Sequence, residues 1–435
     1  MSATAQASPF LASIAQGHAA AAAGLAAPAT RRAALERFVN AGLPTGRDEN
    51  WKYLTLRGLA RRELNFAVEP GRTDRLPDAA LPLENATRLV FVNGRLAADL
   101  STPLPQAKGV RIESLADVYR RQPELLARTM PENDRADSRF ALLNTAFVAD
   151  GASIELDGGE APLIYVLHLA AGGAASFPRL RIHATGGATG VIVEHHLSDA
   201  PGARFVNSLA EIDVEGGSRV ELCRVHSLGA GGQEFDTLRA RVGSGSTFAL
   251  HCLVVGGDLL RSDVDVALEG PAAVAQVRAL LFTAGSQHHE LRAEIRHAVP
   301  DTHSRTQVRT VVNESGRAIC NSKVVVAPGA RRSVSEQNFR NLLLAPAAEA
   351  DTRPQLEIHN EDVKCSHGAS TGRLDPNMLF YLTSRGIDAP TARALLTYAF
   401  VLDLLQILPV AALTQALARR IAGELPARDL IKEFI

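Results

Sequence analysis

The chain has 435 residues, 46% of them hydrophobic and 21% charged, with a formal net charge of −1. This is soluble-globular composition in a chain too long for one compact core, so two or three domains or one elongated body are expected. The near-neutral balance excludes the basic excess that nucleic acid or an anionic membrane surface demands.

Aromatic residues make up 5% and there is one tryptophan, which points to an aliphatic core. The four cysteines, Cys223, Cys252, Cys320 and Cys365, are scattered and form no CxxC pair. That pattern fits neither a zinc ribbon nor a secreted disulfide framework and indicates reduced thiols in a cytoplasmic protein.

Residues 1–85 read as an N-terminal helical region. The Ala-rich start lacks the basic and strongly apolar segments of a signal peptide. The run ATRRAALERFVNAGLP has helical periodicity and stops at Gly42 and Pro44. Trp51 and Tyr53 follow, read as a packing anchor. At 88–96, RLVFVNGRL is a hairpin turning at Asn93-Gly94. Residues 113–149 look helical, an insertion in a core that spans 86–370.

From residue 151 short strand-like runs alternate with glycine turns. Gly158, Gly186, Gly216, Gly243 and Gly270 recur in steps of about 28 residues. The period is too short for a propeller blade of roughly 40–45 residues. It suits the stacked coils of a parallel β-helix, with a β-sandwich as the structural alternative. After 371 the pattern is helical again: Asp375-Pro376 and Asp388-Pro390 are helix starts, and a last helix follows Pro409. The apolar run 394–413 is broken by Asp403, Gln406 and Pro409, so it reads as a buried helical pair and not as a membrane span. Residues 371–435 thus form a C-terminal helical domain.

Three groups of residues could carry chemistry. In VKCSH, strand alternation puts Val363, Cys365 and His367 on one face, with Cys365 and His367 roughly 6.5 Å apart. A thiolate and an imidazole suit a borderline metal or an iron–sulphur cluster, but two ligands are an incomplete set. A small buried thiol beside a satisfied histidine is the plainer reading. In the second group, His289, Leu291, Ala293, Ile295 and His297 share a strand face, with Glu290, Arg292, Glu294 and Arg296 opposite. His289 and His297 lie roughly 26 Å apart on a straight strand, too far to share an ion, and read as polar caps on a buried face. In the third, Cys223 could meet either His251 or Cys252 on the next coil, and a one-residue slip decides which. No phosphate loop, HExxH or GxSxG is present.

The segment QLEIHNEDVKCSHGASTGRLDPNMLFYLTSRGI, 355–387, resembles the C-terminal signature of the SufB/SufD family of iron–sulphur cluster assembly proteins. GRAICNSKVVVAPGA, NLLLAPAAEADTRPQLEI and the histidine stretch at 288–303 resemble the same family. GLPTGRDENWKYLTLRGL points to its SufD branch, as does the absence of an N-terminal cysteine motif. Two departures are Cys320, where the family has an aromatic residue, and Asn321-Ser322 in place of Asn-Gly.

The resemblance implies a right-handed parallel β-helix between helical ends, in a non-catalytic subunit. It also implies a SufB-like paralogue as partner and a SufC-like ABC-type ATPase bound through the C-terminal helices. Cys365 and His367 match the family's thiol and histidine at the SufB–SufD interface, as metal or cluster ligands shared with the partner chain. Iron or a nascent cluster is expected there only transiently and none held stably by the isolated chain, with reduced flavin an optional component of the complex and a homodimer an alternative state. The rivals from other classes are a polysaccharide lyase or hydrolase on the same kind of solenoid, which needs clustered carboxylates, and a stand-alone metal-binding homodimer.

Overall fold

The computed structural model describes residues 8–66, 73, 75–105, 107–130 and 136–424; the two ends of the expected terminal regions, 1–7 and 425–435, lie outside them. Two parallel sheets face each other. The first runs from strand Thr87–Val92 to Val363–Gly372, and the second from Ala152–Asp157 to Glu349–Ile358. Successive strands alternate between the sheets, so the chain winds through about 8 coils of a two-sheeted parallel β-solenoid.

Period-two alternation drives this winding. In strand Val274–Thr283, Ala275, Val277, Ala279 and Leu281 enter the lumen core, where they meet Val264, Val266 and Leu268 of the opposite sheet. The outward residues are buried as well, but against helices. Cys223, Val225, Leu253 and Leu280 pack beneath Val401, Leu405, Leu417 and Ile421 of the C-terminal helices.

The repeated turns are built in two ways. At Gly186-Gly187 both glycines have positive φ, 65° and 76°, and Ala188 N–H donates to Thr185 O at 3.1 Å. That is the primed geometry which only glycine adopts cheaply. At Gly243 and Gly270 the glycine is instead the first turn residue. The positive φ moves to Gly245 (64°) and Ala272 (57°), with Pro271 fitting the second position of a type II turn.

The hairpin at Asn93-Gly94 forms as the sequence predicts, with φ of 49° and 74°. The stretch 113–149 begins differently. Glu113 and Ser114 end strand Val110–Ser114, which pairs antiparallel with Ala152–Asp157 and closes one end of the second sheet. Helices Leu115–Arg121, Glu124–Arg128 and Arg139–Phe147 come after it. Strand propensity in VRIES wins there because an open sheet edge is available to pair with.

N-terminal helices Pro9–Ala21 and Pro28–Ala41 cover the outer side of the second sheet together with Arg139–Phe147. Trp51 is the anchor expected of it: buried, stacked on Phe140 at 5.6 Å, with the Arg261 guanidinium 3.9 Å from its ring. This cover corrects the simple amphipathic reading of the 288–297 strand. Glu290, on the face opposite the core, is fully buried and accepts from Arg261 Nη1 at 2.6 Å.

The C-terminal helices are Pro376–Ser384, Ala389–Leu405 and Ala411–Gly423, and Asp375 and Asp388 cap the first two as expected. The last two lie against the first sheet. Arg309 Nη2 pairs with Asp403 at 2.8 Å, and Arg420 Nε donates to Val255 O at 3.3 Å. Among the described residues no helix is long and apolar enough to cross a membrane.

Candidate functional site

Strand Val363–Gly372 is the last of the first sheet and pairs with Ser333–Leu343 alone; Glu349–Ile358 is the last of the second and pairs with Arg317–Val326 alone. Among the described residues the final coil therefore presents two unpaired backbone edges. Its lumen-facing side chains have no coil stacked on them: Ile358 is 42% exposed, and Leu356, Val363 and Cys365 are only partly buried against the core. An open solenoid end of this kind is a surface for strand addition or for a second chain.

Register places Cys365 beside Ser335 and His367 beside Gln337, both lumen-facing positions. Cys365 and His367 thus share the face that alternation assigned to them. Burial pushes the Cys365 thiol up, opposed by the Ser335 backbone. His367 is exposed. The edge offers one half-buried thiol and one accessible imidazole, two donors where a metal or cluster site usually takes four.

The remaining sequence-derived residues fall elsewhere. His289 lies in a sealed site between Thr283 Oγ1 at 3.0 Å and Gly257 O at 3.1 Å. His297 lies between Thr302 Oγ1 at 2.7 Å and Ser304 Oγ at 2.8 Å. Both are hydrogen-bonded core histidines. Cys223 is in register with His251, and Arg224 with Cys252. Cys223 therefore faces the C-terminal helices and Cys252 the lumen, so the two thiols are on opposite sides of the sheet. Cys320 is a lumen core residue whose thiol burial pushes strongly up.

The sequence reading missed a buried polar line in the lumen. His168, His196 and His226 occupy matching positions on three successive first-sheet strands. Glu194 and Arg224 lie two residues before His196 and His226, and Glu234 and Asp236 face them from the second sheet. His168 Nε2 and His196 Nε2 lie 3.2 and 3.3 Å from Glu194 Oε1. Arg224 Nε donates to Glu194 Oε2 at 2.5 Å and Nη1 to Asp236 at 2.8 Å.

Burial alone pushes the Glu194 carboxyl up, yet Arg224 and the histidines hold it well below the usual carboxylate range. Glu234 is likewise held at about 2, against its burial, mainly by His226 and His196. Burial pushes His168 down; at His226 burial acts the same way, but Glu234 and Cys252 together overcome it and raise the imidazole. The detectable signal was the recurrence of histidine in VLHL, VEHHL and CRVHS, at least one in each of three coils.

These features define a two-sheeted parallel β-solenoid with helical ends and an uncapped terminal coil carrying a cysteine and a histidine. The SUF system FeS cluster assembly, SufBD core domain matches residues 167–400, and the SufBD protein N-terminal region matches residues 16–157. The chain belongs to the SufBD family of iron–sulphur cluster assembly proteins. It is 29% identical to the iron–sulphur cluster assembly protein SufD of Escherichia coli (strain K12), over 90% of this chain and 92% of that one. A SufBD family protein of Synechocystis sp. is 28% identical over 88% of both chains. One from Mycobacterium leprae is 25% identical over 88% of this chain and 91% of its own.

Proposed function

We propose that the chain is a non-catalytic, cytoplasmic, SufD-type subunit. It pairs with a SufB-like scaffold through the open end of its solenoid and shares Cys365 and His367 with that partner in receiving iron and forming clusters. The carrying observation is the uncapped last coil, whose two free strand edges flank a thiol and an exposed imidazole. Iron and the nascent cluster are cargo at this edge, since two ligands hold either one only until the partner supplies the rest.

Helix Pro376–Ser384 supports docking of a SufC-like ATPase. Met378, Phe380 and Tyr381 are 57%, 73% and 57% exposed, and the helix buries no residue of its own. An apolar helical face of this kind favours a protein partner.

In a reconstituted three-protein complex, His367→Ala should abolish cluster build-up, read by visible absorption, while size-exclusion shows the complex intact. Normal cluster yield removes His367 from the site. Phe380→Asp should weaken ATPase capture by at least about tenfold, as for a desolvated aromatic anchor, without changing the melting temperature. Unchanged capture moves the ATPase surface elsewhere.

A further inference from the structure

The lumen cluster is unlike the rest of the core. The ring nitrogens of His168, His196 and His226, together with Glu194 Oε1, make no well-directed hydrogen bond among the described residues, although His168 Nε2, both nitrogens of His196 and His226 Nδ1 lie 3.1–3.3 Å from carboxylate oxygens. These side chains are all but sealed from solvent, with exposures of 1–3%. Buried polar atoms whose contacts are poorly directed are costly, and two imidazole nitrogens converging on one carboxylate oxygen suit a shared ion better than a pair of hydrogen bonds. The neighbouring histidines His289 and His297 show the contrast, since each satisfies both ring nitrogens.

We propose that His168, Glu194 and His196 bind one divalent transition-metal ion of borderline softness, in the class of Fe2+ or Zn2+, through His168 Nε2, Glu194 Oε1 and His196 Nε2. These three atoms lie within 4.8 Å of one another. The two nitrogens lie 3.2 and 3.3 Å from the shared carboxylate oxygen. A tetrahedral ion with bonds of about 2.0–2.1 Å separates its ligand atoms by about 3.3–3.4 Å. Imidazole with carboxylate selects such an ion over Mg2+ or Ca2+, which prefer all-oxygen shells, and over Cu+, which prefers sulphur.

The surroundings are those of a held site. Glu194 Oε2 is fixed by Arg224 at 2.5 Å, leaving Oε1 for the ion. His196 Nδ1 lies 3.1 Å from Glu234 Oε1, the carboxylate contact that orients a ligating imidazole. The other oxygen of Glu234 is 3.1 Å from His226 Nδ1. Charge is compatible: Glu194, Glu234 and Asp236 face Arg224 and the His226 imidazole, so the three carboxylates are not outnumbered by cationic partners before an ion arrives. Three protein ligands leave a fourth position open.

This site is distinct from the edge at Cys365 and His367. It is complete within one chain, and it departs from the expectation that the isolated chain holds no stable metal. Being sealed, it fills during folding or exchanges slowly.

The test uses the full chain carrying Cys365→Ala and His367→Ala, so that the edge cannot bind. Metal content is measured as purified, and again after unfolding and refolding with Co2+ as probe, with Zn2+ and Fe2+ as competing arms to rank the ion. One equivalent of Co2+ is expected, with visible d–d bands of a low-coordinate site and an X-ray absorption shell containing two imidazoles. Added His168→Gln or His196→Gln should weaken binding more than about 100-fold, and Glu234→Gln about 10–100-fold. Absence of any of the three metals from correctly refolded edge-variant protein overturns the proposal. So does unchanged affinity in a folded His196→Gln chain. If the glutamine variants do not fold, the edge variant decides alone: fewer than two imidazoles around its Co2+ also overturns the proposal.

Discussion

At Cys365 and His367, the two-residue repeat of a strand does what a folded loop does in many metal sites: it aims two donors the same way. The same repeat buries His297, and the consequence there is thermodynamic. Burial and nearby His303 depress the His297 imidazole to about 4. The unfolded chain, with an ordinary histidine near 6.5, binds the proton better between those values, so stability is undiminished above about pH 6.5 and falls as pH drops toward 4. The ceiling is about 3 kcal/mol for this one group. Denaturant melts at pH 4.5 and 7 should differ less in His297→Gln than in the parent chain. An equal difference removes His297 from the acid sensitivity.

Elements are held by how closely neighbouring coils approach. A Cβ on Gly270 would lie 2.0 Å from the backbone nitrogen of Ser244 on the preceding coil. Backbone cannot yield as a side-chain tip can, so Gly270→Ala must push two coils apart, at about 2–3 kcal/mol. A Cβ on Gly187 would have nothing within 4 Å and only a positive φ of 76° to satisfy, so Gly187→Ala should cost about 1–2 kcal/mol. Chemical melts of the pair test the ranking, and equal losses mean that turn strain and not coil contact governs these glycines. The turn spacing was legible in sequence because each coil needs its own reversal. The change from paired glycines to a type II turn was hidden, since Gly243 and Gly270 fall at the same repeat step as Gly186 and Gly216 while serving a different turn position.

For the molecule as a whole, each coil is stabilised mainly by its two neighbours, so the coil with one neighbour is the weakest. The N-terminal end is closed by the antiparallel strand Val110–Ser114 and by the hairpin at Asn93-Gly94. The C-terminal end has no such cover among the described residues. Amide exchange should therefore be fastest in strands Glu349–Ile358 and Val363–Gly372, and a SufB-like partner should slow it there specifically. Uniform protection along the solenoid in the free chain would contradict an open end.

The sequence by itself determined the architecture and the edge pair. Alternation and turn recurrence are local, and a strand face can be read without knowing what it packs against. Only the tertiary structure decided which polar residues meet inside. His168, His196 and His226 keep the step of the turn glycines, but a slip of one residue would send each to the outer face, so recurrence alone does not place them in the lumen. Charged residues such as Glu194, Arg224 and Glu290 read as surface until the opposite sheet and the covering helices are in place. Whether a face is solvent, lumen or interface depends on what the other coils put beside it, and that information is carried by long-range packing alone.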